Sequence, residues 1–446
     1  MTAPLRNRLV IVARADPVIC GHSGEARNLA EAALDRGFEE IRIITWPIDQ
    51  LQRSGLPLKP LDRVLPYREG IIVERPAPIG NYKVPDGRYL AGLTGRLVEL
   101  FTDGIPTLCM SLYLSPHAVA VADAVRVARS TGLPVNVTTV AEAVGSDVTS
   151  VVRSCLEEGR WGAAAHVLSN YLAHDVCLAV SEYTREIILE EAAEVDRSHG
   201  TTFAPRCRER VSVSYPAIDV GSYLSLDPRE SDRVLARRGL NRDGYVLFLS
   251  RLSPAKGVDD LIAGFARSRA AARLRLVIAG SGPEAKWLHE VAESSSVAER
   301  ITFLDDVDDV EKPHLMAASA AFVLPSKPLP QFVETFGIAL VEKMLSGGAP
   351  VITTRTGGIT EAVGDCALFV PVEDPDAIAA ALDRVDAMSS DERQDLERRA
   401  RVQARQFDRA VVFDRLLERL NPDPMGLRAA PKLPRNSMAS PDRGVR

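Results

Sequence analysis

The sequence predicts two doubly wound parallel α/β domains facing each other across a cleft. Three observations carry that prediction. Short apolar runs alternate with amphipathic stretches along most of the chain, the β-α-β rhythm of parallel sheets with right-handed crossovers. The rhythm breaks once, around 210–226, where VSVSYP reads as a short strand ending in proline and AIDVGSYLSLDP as an extended connector. The length, 446 residues, fits two to three domains of ~150 residues each.

In chain order, Leu9 to Ala13 (LVIVA) reads as a buried parallel strand. A loop follows, then a helix from Ser23 to Arg36 with Leu29, Ala30, Ala33 and Leu34 on one side. Ile41 to Thr45, Val135 to Thr139 after Gly-Leu-Pro, and Val176 to Val180 are the next strands. Beyond the connector come Val246 to Ser250, Leu274 to Ala279, Ile301 to Leu304, Ala321 to Leu324 and Val351 to Thr354. The domains are therefore expected over 1–218 and 219–406, with a helix over 407–420 returning to the first. Residues 421–446 hold five prolines and five basic against two acidic residues, the composition of a flexible tail. Nothing repeats at 20–50 residues.

Composition narrows the function. Lys plus Arg is 54 and Asp plus Glu 60, a net charge of −6, which excludes a general nucleic-acid-coating protein. No apolar run approaches the ~20 residues of a membrane helix. The opening MTAPLRNRLVIVARAD lacks a secretory signal's apolar core, so a cytoplasmic location is expected. Cys20, Cys109, Cys155, Cys177, Cys207 and Cys366 form no CxxC pair, so neither a zinc site nor a redox dithiol is suggested. His166 and His174 stand eight apart without a carboxylate partner and read as structural.

Four segments carry chemistry. Arg251-Leu252-Ser253-Pro254-Ala255-Lys256-Gly257 follows a strand and precedes a helix start near Val258. Two cations there, with the positive end of a helix dipole, can grip a pyrophosphate. Alone, they would also pass for surface charges on a loop. Gly280-Ser281-Gly282-Pro283 follows the next strand and would let a backbone approach a nucleotide; a plain strand-to-helix turn explains it equally well. Glu334-Thr335-Phe336-Gly337-Ile338-Ala339-Leu340-Val341-Glu342 places two carboxylates eight residues apart. In one continuous helix they would be ~12 Å apart along the axis. Glycosidase carboxyls sit roughly 5–9.5 Å apart, so these are read as holding two parts of one elongated ligand. Amides at Phe336, Gly337 and Ile338, at a helix start, suit hydroxyls or anionic oxygens. Gly21-His22-Ser23-Gly24 turns from the first strand into the first helix.

Taken together, SRLSPAKGVDDLIAGF, LVIAGSGPE, FVLPS, ETFGIALVE and GGAPVITTRTGGITEAV resemble the family 4 retaining glycosyltransferases of the GT-B fold, two Rossmann-like domains across a cleft. The E-x7-E spacing with R-x4-K upstream carries most of the resemblance, and GHSGEARNLAEAAL is similar to the sucrose-phosphate-synthase-like branch. The resemblance implies a retaining, metal-independent hexosyltransferase that needs no cofactor and moves a sugar from a nucleoside diphosphate, UDP expected, to a hydroxyl of a small acceptor. It implies that Arg251 and Lys256 bind the diphosphate, and that Glu342 binds the ribose. Glu334 would bind the transferred sugar, with the amides of Phe336, Gly337 and Ile338. Gly24 and Gly282 would border the donor, and the backbone near Val307 would meet the base. Gly357, Gly358 and Glu361 would shape the cleft. With two protein cations on the leaving group, Asp306-Val307-Asp308 need not be a metal site despite its DxD spelling.

One departure stands out. Family members often carry T-x-H beside the sugar; here Thr138-Thr139-Val140 puts Val140 at that place, and His22 and His117 are the histidines near other strand ends. The proton of the acceptor hydroxyl would then go to the departing phosphate, as the family implies. A sugar-phosphate acceptor, a nucleotide-sugar binder without turnover, and an oxidoreductase are the alternatives. The last lacks GxGxxG after the first strand.

Overall fold

The computed structural model describes residues 7–80, 85–330, 332–347 and 350–420; the expected tail at 421–446 lies outside them. The chain forms two all-parallel sheets. The first holds β1 (Arg8–Val12), β2 (Glu40–Ile44), β3 (Ile71–Glu74), β4 (Thr107–Leu112), β5 (Val137–Ala143), β6 (Val176–Ala179) and β7 (Val211–Val213), in the order β3-β2-β1-β4-β5-β6-β7. The second holds β8 (Tyr245–Leu249), β9 (Arg275–Ala279), β10 (Ile301–Leu304), β11 (Ala321–Leu324), β12 (Val351–Thr354) and β13 (Ala367–Val370), in the order β10-β9-β8-β11-β12-β13. Helices cover both faces, so the central strands are buried on both sides: every residue of β1 and β11 is buried. Strand order reverses between β1 and β4 and again between β8 and β11. Crevices at such reversals, outside the carboxyl ends of the strands, are where these sheets bind ligands.

Most strand readings agree with the structure to within a residue or so; β3, β4 and β13 were not foreseen. β4 (TLCMSL) is wholly buried although Thr, Cys and Ser break its apolar run. β3 and β13 are four residues each and half covered. β5 starts later than expected and runs on to Ala143.

The connector returns at one seam. Ile218 bridges Asp408 in parallel, with Ile218 N–H donating to Phe407 O (2.9 Å) and Arg409 N–H to Ile218 O (2.8 Å). The helix Arg409–Leu420 then lies on the first lobe's helix Gly21–Asp35. Phe413 meets Phe38 edge-on, and Arg36 forms a two-pronged pair with Asp414. Further bridges join the lobes across the cleft. Lys59 pairs with Asp309 at 2.6 Å, and the Thr335 hydroxyl donates to Val144 O at 3.1 Å. Glu361 accepts from the N–H groups of Glu182 (2.7 Å) and Tyr183 (3.0 Å), at the start of the helix Glu182–His199. Among the described residues, no helix is long and apolar enough to cross a membrane.

Candidate active site

The carboxyl end of β8 feeds straight into Arg251. Its loop is laid on the neighbouring one by backbone contact: Leu252 N–H donates to Ser281 O at 2.9 Å, and Glu284 N–H to Leu252 O at 3.2 Å. A Cβ on Gly282 would stand 2.1 Å from Leu252 O. Close approach of chain to chain is by itself a reason for glycine at this position. Lys256 binds the Glu334 carboxylate, with side-chain exposures of 9% and 12%. Arg251 is exposed, and its guanidinium and the Lys256 ammonium both approach the Phe332 ring, at 6.0 and 5.3 Å. The Arg251 charge also reaches Cys20 and His22 of the first lobe, whose protonation it biases. Arg251, Lys256 and Glu334 thus share one side of the gap.

The segment ETFGIALVE is not one helix. The helix is Ile338–Ser346, with Gly337 as its cap at φ +97°, so Glu334 lies in the preceding turn and the expected rise along a single axis does not apply. That turn is pinned from below. A Cβ on Gly357 or Gly358 would stand 2.0 Å from the carbonyl oxygen of Glu334 or Thr335, and Gly358 N–H donates to Glu334 O at 3.0 Å. The Phe336 ring is buried against Tyr215 and Phe407, which leaves its backbone as the part able to meet a ligand. The amides of Gly337 and Ile338 open the helix and have no acceptor within it. Glu342 lies just over a turn in; its Oε1 accepts from Tyr223 Oη (2.6 Å) and Lys312 Nζ (2.7 Å). The sequence reading missed Lys312, Tyr223 and Phe332, because each meets the motif only in three dimensions.

Gly24 sits exposed in the first helix, and a Cβ there would meet nothing within 4 Å, so its surroundings are open. Gly21 comes nearer the second lobe: its Cβ position is 3.1 Å from Ile338 Cδ1. Val307 is half-buried in the turn after β10. Beside it, Asp306 pairs with Arg238 (2.8 Å), while Asp308 accepts from the N–H groups of Val310 and Glu311. Those carboxylates serve local structure.

Val140 is fully buried in the middle of β5, packed in the core with Leu178. It does not reach the cleft; the strand ends three residues later, at Ala143. His22 and His117 instead stand at first-lobe strand ends, both edge-on to Tyr113 at 5.8 and 6.3 Å. His117 Nδ1 donates to Leu112 O (2.9 Å) and Nε2 accepts from Trp46 Nε1 (3.4 Å), a self-consistent neutral tautomer. Burial, then the Arg14 charge, pushes the His22 pKa down to about 3. Burial outweighs the Leu112 hydrogen bond at His117 and lowers it to about 4.

Residues 235–403, the body of the second lobe, match the family model described as glycosyl transferases group 1. The chain is 33% identical over 221 residues to D-inositol 3-phosphate glycosyltransferase of Stackebrandtia nassauensis, covering 46% of each protein. It is 32% identical over 161 residues to O-antigen chain mannosyltransferase B of Escherichia coli, covering 35% of this chain and 41% of that protein. The chain thus spans less than half the length of these curated relatives. Two solved structures extend the likeness to the whole fold. Anabaena HepE in complex with UDP superposes with a TM-score of 0.67 at 17% identity, covering 93% of this chain and 100% of that one. Sucrose-phosphate synthase from Thermosynechococcus elongatus gives 0.65 at 18%, covering 93% and 98%. The architecture is the GT-B fold, and its second lobe carries the match to group 1 glycosyl transferases.

Proposed function

We propose that this protein is a retaining, metal-independent glycosyltransferase of the family 4 type. It takes a sugar from a nucleoside-diphosphate sugar, a UDP-sugar by preference, and delivers it to a hydroxyl of a small acceptor in the cytoplasm. One observation carries the reading: Arg251, Lys256 and Glu334 lie together on the cleft wall, beside a helix start with free amides. The relatives support sugar transfer, and the UDP held by HepE supports the donor class.

In this reading Arg251 and Lys256 face the diphosphate and the opening amides of Gly337 and Ile338 face its neighbouring oxygens. Glu334 accepts hydrogen bonds from the sugar, and Glu342 from the ribose. As the bond from the anomeric carbon to the phosphate oxygen breaks, negative charge grows on the leaving group. Fixed cations in a water-poor cleft stabilise that charge; losing one such donor typically costs about 3–4 kcal/mol of barrier. The acceptor oxygen bonds to the anomeric carbon, and its proton passes to the departing phosphate. The neutral His22 and His117 are ill suited to carry it, since their ring nitrogens are buried or engaged.

Thermal-shift measurement against UDP, GDP and ADP and their sugars tests the donor class. A ligand at about 100 times its Kd should add about 2.7 kcal/mol of stability. Sugar transfer undiminished by EDTA should follow with the stabilising donor. No shift with any nucleotide would end the reading, and binding without product would favour a nucleotide-sugar binder.

A further inference from the structure

We propose that Phe332 is a positioning residue of the donor site: its ring gathers the Arg251 guanidinium and the Lys256 ammonium in one place, set for the two phosphates of a nucleoside diphosphate. The proposal rests on the glycosyltransferase reading and deepens it with a residue from outside the loop that carries the two cations.

Like charges on one short loop tend to part. Lys256 is held by Glu334. Arg251 is exposed and, among the described residues, meets no carboxylate. A long, exposed arginine beside an ammonium gains by swinging into water, where its charge is solvated and the repulsion screened. Its guanidinium instead stays 6.0 Å from the centre of the Phe332 ring, and the Lys256 ammonium lies 5.3 Å from the same centre. The negative face of an aromatic ring attracts cations at that range. Phe332 is thus a partner common to both, and it offsets their mutual repulsion.

The ring is carried on a strap fastened at both ends. At the near end Lys327 N–H donates to Ala255 O at 2.9 Å, in the turn that closes on Lys256. The Lys327 ammonium binds Asp259 (2.9 Å) and Asp260 (3.1 Å), in the first turn of the helix Val258–Arg267. A Cβ on Gly257 would stand 2.2 Å from Pro325 O, so the two chains pack backbone to backbone there. At the far end Glu334 binds Lys256 through its side chain and accepts from Gly358 N–H through its carbonyl. Between the ends, Leu329 and Phe332 exchange backbone hydrogen bonds of 2.9 and 3.1 Å, which fold the chain back and fix the point from which the ring departs. Both ends of the strap therefore grip the loop that carries the cations.

A diphosphate gains from this arrangement because its two cations are placed before it arrives. Ordering two long side chains at the moment of binding costs roughly fivefold to a hundredfold in affinity. The phenyl ring has no donor to offer a phosphate, so it acts through the cations. It makes no demand on the base or ribose, and the nucleoside part of the donor should be indifferent to it.

The test is calorimetric titration of the full chain with two probes: whichever of UDP, GDP and ADP the native protein binds tightest, and the matching nucleoside, measured by competition. Phe332→Leu should weaken the diphosphate about fivefold or more and leave the nucleoside within about twofold. Phe332→Tyr, which keeps the ring, should stay near the native values. Fluorinating the ring at 332 keeps its shape and withdraws charge from its face. Diphosphate affinity should then fall stepwise with one, two and three fluorines while the Tm holds, and this series decides the matter even where Phe332→Leu fails to fold. Unchanged diphosphate affinity in Phe332→Leu, or a flat fluorination series, would overturn the proposal. Equal losses of diphosphate and nucleoside would do the same, since the ring would then serve shape alone. So would a loss confined to UDP-glucose, which would put the ring at the sugar. A native protein that binds none of the three nucleotides would remove the donor reading and this proposal with it, whereas native binding with indifferent variants would remove this proposal alone.

Discussion

Replacing Lys256 with Met should unsettle the second lobe before it affects any reaction. Lys256 and Glu334 are each about nine-tenths covered and are bound to one another. Removing the ammonium strands a carboxylate in that covered position, which costs about 3–5 kcal/mol. A domain of roughly 200 residues loses about 2–4 °C of Tm per kcal/mol. The expected drop is therefore roughly 6–20 °C, read by calorimetric or circular-dichroism melting. Lys256→Met with Glu334→Gln removes both charges and should recover more than half of that loss, a clear departure from additivity. Donor affinity should stay low in both variants, because Lys256 is missing from each. A single variant that melts with the native protein, or a double variant that falls by the sum of the two singles, would refute the coupling.

Further outcomes are open to measurement. Glu342→Ala should weaken UDP and UDP-glucose binding alike, by about tenfold, whereas Glu334→Ala should chiefly weaken the intact sugar nucleotide; equal losses for free UDP would contradict the division of roles. Gly145 holds φ at +105°, and its Cβ position is 2.0 Å from Thr335 Cγ2 in the other lobe. Gly145→Ala should thus cost about 2–4 kcal/mol and open the cleft in small-angle scattering, with partial relief from Thr335→Ser; a native Tm would count against this. His117 titrates near 4 in the fold against about 6.5 when unfolded. The unfolded chain therefore takes the proton first as pH falls. Stability from this residue is whole above pH ~6.5 and declines toward pH ~4, by up to about 1.4 kcal/mol per unit. His117→Gln should flatten that decline, and an unchanged acid limb would show that other groups govern it.

The central strands were legible because a parallel sheet covered on both faces favours near-continuous apolar runs, and β8, β11 and the stretch of β1 after Arg8 supply them. β4 was not, since Thr107, Cys109 and Ser111 interrupt the pattern although the strand is equally buried. Ser111 can sit there because its hydroxyl finds Val140 O at 3.3 Å, a partner that local sequence does not reveal. The same limit applied to Val140. Its place in a T-x-H frame made it look like a cleft residue, but β5 runs three residues beyond it and carries its side chain into the core.

The site divides along a similar line. Arg251, Lys256, Glu334 and Glu342 could be picked out because their spacing is local and sits at strand ends or a helix start. What holds them is not local. Lys256 lies 78 residues from Glu334, while Glu342 is held by Lys312 and Tyr223, 30 and 119 residues away. These partners explain how an acidic motif can line a cleft proposed for a diphosphate. Each glutamate stands beside an ammonium, so the wall presents fixed, locally balanced charge rather than a net negative field. Arg251 is left over, with no carboxylate of its own among the described residues, and it faces the gap from the strand end where the second sheet reverses. In the proposed reading, a diphosphate arriving there would meet the Arg251 guanidinium first and the Lys256 ammonium next. By drawing Lys256 toward itself it would loosen that lysine's hold on Glu334, and the carboxylate would gain freedom to accept hydrogen bonds from the sugar's hydroxyls. Donor binding and sugar positioning would then be coupled through one ion pair. That coupling is why the Lys256 and Glu334 substitutions need to be measured together, on free nucleotide and on intact sugar nucleotide.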